Sequence, residues 1–190
     1  MDDDQYDKKP KKKSGAHQLL SWVLVIVAAL AIALVIRNFV VAPVKVEGTS
    51  MVPTYQDGDR IFIEKISKPD RFDIIVFDEP PMIGSGEHFI KRVIGLPGDK
   101  IAFKNGELYL NGKRKVENYL PEGTLTLWNP DPTQKPYIAD YTLEDMTGES
   151  TVPKGKLFVL GDNRGGSSDS RVFGFIDDSM VNGTVIQFGK

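Results

Sequence analysis

The chain has 190 residues, 41% of them hydrophobic and 26% charged, enough for one domain with its own core. A formal net charge of −2 argues against nucleic-acid binding through an overall basic field, and the absence of cysteine excludes disulfides, thiolate metal sites and a cysteine nucleophile. Of the two histidines only His88 lies in the part that can fold, so a Ser-His-Asp triad would have to use it.

Residues 1–18 are polar. Lys8, Lys9, Lys11, Lys12 and Lys13 crowd together, but Asp2, Asp3, Asp4 and Asp7 nearly cancel them, which reads as a solvated tail rather than a nucleic-acid patch. Leu19–Ile36 follow as 18 residues without a charge, with Ser21 the only polar side chain. At about 1.5 Å per residue this run makes roughly 27 Å of helix, enough to cross the hydrocarbon core of a membrane. A buried soluble helix is rarely so long and uniform. A cleavable leader has a shorter apolar core, followed by a polar stretch and a small-x-small site. Here Ala31-Ile32-Ala33 lies inside the run and Pro43 follows Ala42, so an uncleaved transmembrane anchor over 19–37 is expected. Five lysines precede the span, and only Arg37 and Lys45 fall within the next 15 residues. The bias toward positive charge inside predicts a cytoplasmic tail and a domain over 38–190 on the extracytoplasmic face.

Beyond the anchor the pattern is β. Val44–Glu47, Arg60–Glu64, Asp73–Phe77, His88–Ile94, Lys100–Phe103, Glu107–Leu110, Lys156–Leu160 and Thr184–Phe188 are short apolar or alternating runs bounded by turn residues. Asn105-Gly106 and Asn111-Gly112 are strong hairpin signals. No long amphipathic helical period occurs here, so the expectation is one all-β domain, a coiled sheet or barrel. Residues 118–155 differ, with five prolines, Trp128 and several tyrosines. They read as an irregular excursion with some strand content, as consistent with a plain surface loop as with substrate recognition.

Three segments hold candidate chemistry. In Gly48-Thr49-Ser50-Met51-Val52-Pro53-Thr54 one serine sits among small residues and a proline, in a stretch without regular period. A nucleophile needs such a constrained turn with backbone N–H groups nearby, although most serines in such places are simply loop residues. In His88–Asp99, strand alternation puts Phe89, Lys91 and Val93 on one face. A lysine on an apolar face is unusual, and burial disfavours its charged form, which makes it a usable base. A snorkelling edge lysine, or one paired to an acid, is the commoner outcome. His88, three residues away, faces the other side. The third segment, Gly161–Arg171, follows an apolar run and holds two acids, two arginines, three serines and three glycines. Such a loop can scaffold an active site. It lacks the acid spacing and flanking helices of an EF-hand, which makes calcium the minor reading.

Together these segments resemble those of the bacterial type I signal peptidases, membrane-anchored Ser-Lys proteases that remove signal peptides from exported proteins. S-M-V-P-T is similar to the family's nucleophile box, K-R-V-I-G-L-P-G-D to its lysine box, and G-D-N-R-x-x-S-x-D-S-R to its third, structural box. All three stand in the family's order behind one anchor. The short length is similar to the Gram-positive-type members.

The resemblance implies that Ser50 is the nucleophile and Lys91 the general base. It implies that Ser167 holds the lysine by a hydrogen bond, and that Asp162, Asp169 and Arg171 buttress the site. Met51, Phe89 and Ile90 would line small substrate pockets, and the Ser50 N–H would donate to the oxyanion. Some members carry a serine two residues before the nucleophile as a second oxyanion donor; here that residue is Gly48. The implied partners are signal-peptide-bearing preproteins and membrane lipid, with no nucleic acid, no metal and no cofactor. A related protease that processes itself or one dedicated partner is a second reading, and a tethered, non-enzymatic β domain a third.

Overall fold

The computed structural model describes residues 15–81, 83–84, 86–131 and 137–187. Residues 1–14 of the expected cytoplasmic tail, with all five of its clustered lysines, lie outside them. The chain divides into two units, 1–39 and 40–190. In the first, no Gly or Pro interrupts the run from Ala16 to Ala42, and helix α1 covers Gly15–Phe39. Its described side chains, 18–34, are all exposed. Among the described residues no helix is long and apolar enough to cross a membrane, so the span expected over 19–37 is not established by them.

The second unit is mostly β-sheet. Strands β1 (Val41–Lys45), β2 (Arg60–Glu64), β3 (Ile74–Asp78), β4 (His88–Gly95), β9 (Lys156–Leu160), β10 (Ile176–Asp177) and β11 (Val181–Val185) form a seven-stranded sheet in the order β1-β2-β11-β3-β4-β9-β10. Strands β5 (Ile101–Lys104), β6 (Glu107–Leu110), β7 (Lys113–Arg114) and β8 (Tyr141–Thr142) form a second sheet in the order β7-β6-β5-β8. Every described strand pair is antiparallel. The first strand lies three residues earlier than expected, because the chain turns away after Lys45. Pro43 is tolerated in β1, since an edge strand leaves one side without ladder bonds. Both Asn-Gly pairs join strands through two left-handed residues, with φ of 51° and 75° at Asn105-Gly106 and 52° and 78° at Asn111-Gly112. That is the tight hairpin geometry matching strand twist.

The central strands β3 and β4 are buried on both faces. Ile74, Val76 and Ile90 join one core cluster with Met51, Ile61 and Ile63, while Ile75, Phe77 and Val93 join another with Leu157, Val159 and Phe173. A third cluster ties the small sheet (Ile101, Phe103, Leu108, Leu110) to Ile94, Phe158 and Leu160. Each fully buried side chain of this size contributes about 1.5–3 kcal/mol, which gives the strands carrying the site a rigid base.

Residues 118–155 are not a plain surface loop. Trp128 bridges Ile138, Tyr141 stacks on Phe103 at 4.7 Å, and Leu143 is buried in the third cluster. Helix α2 (Leu143–Thr147) begins at a capping box of Thr142 and Asp145 and ends at Gly148 with φ 78°. A second short helix, α3 (Ser170–Phe173), is capped by Asp169.

Candidate active site

Ser50 lies in the turn between β1 and β2. The turn is held by Val52 N donating to Thr49 O and Tyr55 N to Met51 O, with Gly48 in the left-handed region at φ 80°. Gly48 N donates to Asp57 Oδ1 at 2.8 Å.

Lys91 lies opposite Ile75 in the β3–β4 ladder, on the face that also carries Phe89 and Val93. It is 4% exposed, and its Nζ stands 2.9 Å from Ser50 Oγ and 3.1 Å from Ile90 O. The Phe89 ring centroid is 4.9 Å from that nitrogen. Among the described residues no carboxylate pairs with Lys91. Burial therefore dominates and pushes its pKa down to about 8, partly opposed by the charge of Asp169. A neutral amine can then take a proton from an alcohol within hydrogen-bond reach. His88 is exposed, lies 3.0 Å from Asp78, and is hydrogen-bonded to neither Ser50 nor Lys91.

The 161–171 loop packs against this pair through buried polar groups. Asp162 receives Arg92 Nε at 2.9 Å and Nη2 at 2.5 Å and also accepts from the Thr54 hydroxyl, so it joins β4, the serine turn and the loop. Asp169 accepts from Gly161 N at 3.0 Å and from Arg171 Nε and Nη2 at 2.9 and 2.8 Å. Arg171 Nη1 reaches Leu127 O at 2.8 Å, and Trp128 Nε1 donates to Arg171 O at 3.2 Å.

The hydrogen bond expected from Ser167 to the lysine is absent. Ser167 Oγ is buried without a hydrogen-bond partner among the described residues, and the Lys91 contacts go to Ser50 and Ile90. Ser167 packs instead against Gly161, where a Cβ would lie 2.2 Å from its Oγ and 2.5 Å from Ser50 O. Only glycine lets the loop come this close. A groove of about 850 Å³ runs past the pair, lined by 43–50 on one side and 87–91 on the other. Phe89 and Ile90 line it. Met51, 1% exposed, does not; it belongs to the core cluster that contains Ile90.

The family model "Signal peptidase, peptidase S26" matches residues 19–188. The chain belongs to this family. A signal peptidase I of Bacillus caldolyticus is 44% identical over 181 residues, covering 93% of this chain and 91% of that protein. A signal peptidase I of Bacillus amyloliquefaciens is 40% identical over 182 residues, with 93% and 89% covered, and a signal peptidase IB of Staphylococcus aureus is 36% identical over 177, with 88% and 87% covered. A crystal structure of a signal peptidase I from Enterococcus faecalis V583 superposes with a TM-score of 0.51 at 38% identity, covering 64% of this chain and 99% of that one. As a member of the signal peptidase family, the chain is a serine endopeptidase with a mostly β fold.

For this signal peptidase-family chain, the structure adds residues that local pattern did not single out. Arg164, 4% exposed, donates through Nη2 and Nη1 to Glu117 at 2.6 and 3.1 Å, to the Thr126 hydroxyl at 2.5 Å, and through Nε to Gly161 O at 3.0 Å. Tyr119 donates to the same Glu117 at 2.5 Å, and burial followed by the Glu117 charge pushes its hydroxyl pKa up. The 118–155 excursion is thus fastened to the loop beside Ser50. Asn163 contacts the serine turn directly. The signal for Asn163 and Arg164 is only that charged and amide groups crowd a glycine-rich loop; their partners Thr49, Glu117 and Thr126 lie 38 to 114 positions away.

Proposed function

We propose that this chain is a membrane-anchored Ser-Lys signal peptidase that removes N-terminal signal peptides from exported preproteins after small-x-small sites. The observation that carries the reading is the 2.9 Å approach of Lys91 Nζ to Ser50 Oγ, at a buried lysine without an acid partner among the described residues. Ser50 Oγ attacks the scissile carbonyl while Lys91 takes its proton. Negative charge gathers on the carbonyl oxygen, where the Ser50 N–H donates. Lys91 then hands the proton to the departing amine, leaving an acyl-serine that water hydrolyses. No cofactor enters.

The groove suits an extended peptide. β1 is an edge strand, and β4 pairs with β9 from Arg92 onward, so among the described residues His88–Lys91 has no second strand beside it. Edge pairing gives main-chain affinity, while the apolar wall near Phe89 and Ile90 selects small side chains. The relatives bear the name signal peptidase I, and that supports the substrate class.

The proposed anchor is 19–37, with the tail in the cytoplasm and 38–190 outside. The uncharged 18-residue run and the exposed side chains of 18–34 support it. Ser50 follows Ile36 by 14 residues, a tether of at most roughly 50 Å, so the site stays near the surface where preproteins emerge.

The test is mass spectrometry of a model preprotein after incubation with the full-length chain in detergent, beside Ser50→Ala. One cut after a small-x-small site, lost in the variant, is expected. Cleavage elsewhere removes the proposed specificity, and cleavage by Ser50→Ala removes the nucleophile. Release of the chain from membranes by alkaline carbonate would count against the anchor.

A further inference from the structure

The geometry points to Asn163 as the positioning residue that aims the Ser50 N–H at the oxyanion of the reaction. This inference rests on the reading of Ser50 as the nucleophile. A side-chain donor is unavailable at Gly48, and its N–H is already given to Asp57 at 2.8 Å. The stabilising role therefore falls on the Ser50 N–H, which donates to no acceptor among the described residues.

Asn163 holds two consecutive carbonyls of the serine turn. Its side-chain Nδ2 donates to Thr49 O at 3.1 Å, and its main-chain N–H donates to Ser50 O at 3.0 Å. The peptide unit between Thr49 and Ser50 is a rigid plane in which a trans C=O and N–H point in opposite directions. Drawing the Thr49 carbonyl toward the 161–171 loop turns the Ser50 N–H away from that loop. Thr49, Ser50 and Lys91 all line the groove, so the freed N–H is available to the reacting carbonyl. The close approach depends on Gly161, since any side chain there would meet Ser50 O at 2.5 Å. Thr49 O also accepts from Val52 N at 3.2 Å, a second restraint on the same plane that lies within the turn itself.

Asn163 is half-buried, and Asn163→Ala keeps the main-chain bond to Ser50 O. The test compares wild type, Asn163→Ala and Ser50→Ala as full-length chains in detergent. It uses a cleavable peptide, the same peptide made uncleavable by proline after the scissile position, and the matching peptide aldehyde. The serine hydroxyl adds across the aldehyde C=O, and the resulting hemiacetal oxygen occupies the oxyanion position.

For Asn163→Ala we expect kcat to fall about 10- to 100-fold, somewhat less than the loss of a whole oxyanion donor. Aldehyde affinity should weaken by the same factor. KM, affinity for the uncleavable peptide and the pH limb set by Lys91 should hold. Unchanged kcat would mean that the turn bond from Val52 suffices, and the inference falls alone. Equal weakening of aldehyde and uncleavable peptide would mean a loosened groove, and again the inference falls alone. Cleavage by Ser50→Ala overturns it together with the reading on which it rests.

Discussion

Lys91 and Arg92 are neighbours on β4 and are 4% and 3% exposed, yet they meet burial in opposite ways. Arg92 turns its guanidinium to Asp162 with two bonds, gives a third to Phe72 O at 2.8 Å, and lays its Cζ 3.9 Å from the Tyr119 ring centroid. Its charge is matched, and a guanidinium does not deprotonate in a protein. Lys91 has Ser50 Oγ, one carbonyl and an aromatic ring, but no acid partner among the described residues. Its pKa drops to about 8 because the ammonium form is desolvated without full compensation. Burial with a partner makes a structural cation, whereas burial without one favours the neutral amine that the proposed base requires.

Five variants, one of them a double substitution, break or sharpen this contrast. The largest effect is expected from Lys91→Ala, which should lower the turnover of a preprotein about 10³-fold or more through loss of proton transfer and alignment. Wild-type kcat/KM should climb about tenfold per pH unit below about 8 and level off above it, because only the neutral amine takes the Ser50 proton. A rate that follows a carboxylate near pH 4 would remove Lys91 as the base.

Asp162→Ala leaves Arg92 buried and unmatched. Chemical unfolding should show about 3–5 kcal/mol of lost stability, and the apolar pair Arg92→Met with Asp162→Leu should recover much of it.

Lys91→Met should go the other way and stabilise the inactive enzyme. The native pKa of Lys91, about 8, lies below its ordinary value of 10.5. The unfolded chain therefore binds more protons between those values, and wild-type stability rises with pH across that window. At about 1.4 kcal/mol per pH unit, the gap corresponds to about 3 kcal/mol of destabilisation at neutral pH. Melting temperatures of the two proteins should differ most at pH 7 and converge toward pH 10.5. A constant difference would mean that Lys91 is charged in the fold. The smallest effect, about 1 kcal/mol, is expected for Thr54→Val, which removes one hydroxyl donor from Asp162 while Arg92 still matches its charge.

Much of the β framework can be read locally. Asn105-Gly106 and Asn111-Gly112 announce their hairpins because few other pairs tolerate two left-handed residues in succession. Alternation alone places Lys91 with Phe89 and Val93, and the ladder keeps that face. Residues 118–155 resisted such reading. Beyond the short helix α2, their order draws on single distant contacts such as Trp128 to Arg171 and Thr126 to Arg164, which leave no local period.

By itself the amino-acid sequence determined that the folded part is β, that an uncharged 18-residue run precedes it, and which serine and lysine to compare. These follow from residue size, charge and two-residue alternation, properties that act between near neighbours. Only the tertiary structure decided that the two side chains meet at 2.9 Å, that Ser167 does not hold the lysine, and that Met51 lies in the core rather than the groove. The same holds for Asp162 matching Arg92 rather than Lys91. Those outcomes depend on which polar groups are brought together across 41 to 114 residues of chain. Whether a buried charge is matched is a property of its final surroundings, and no local stretch of residues carries it.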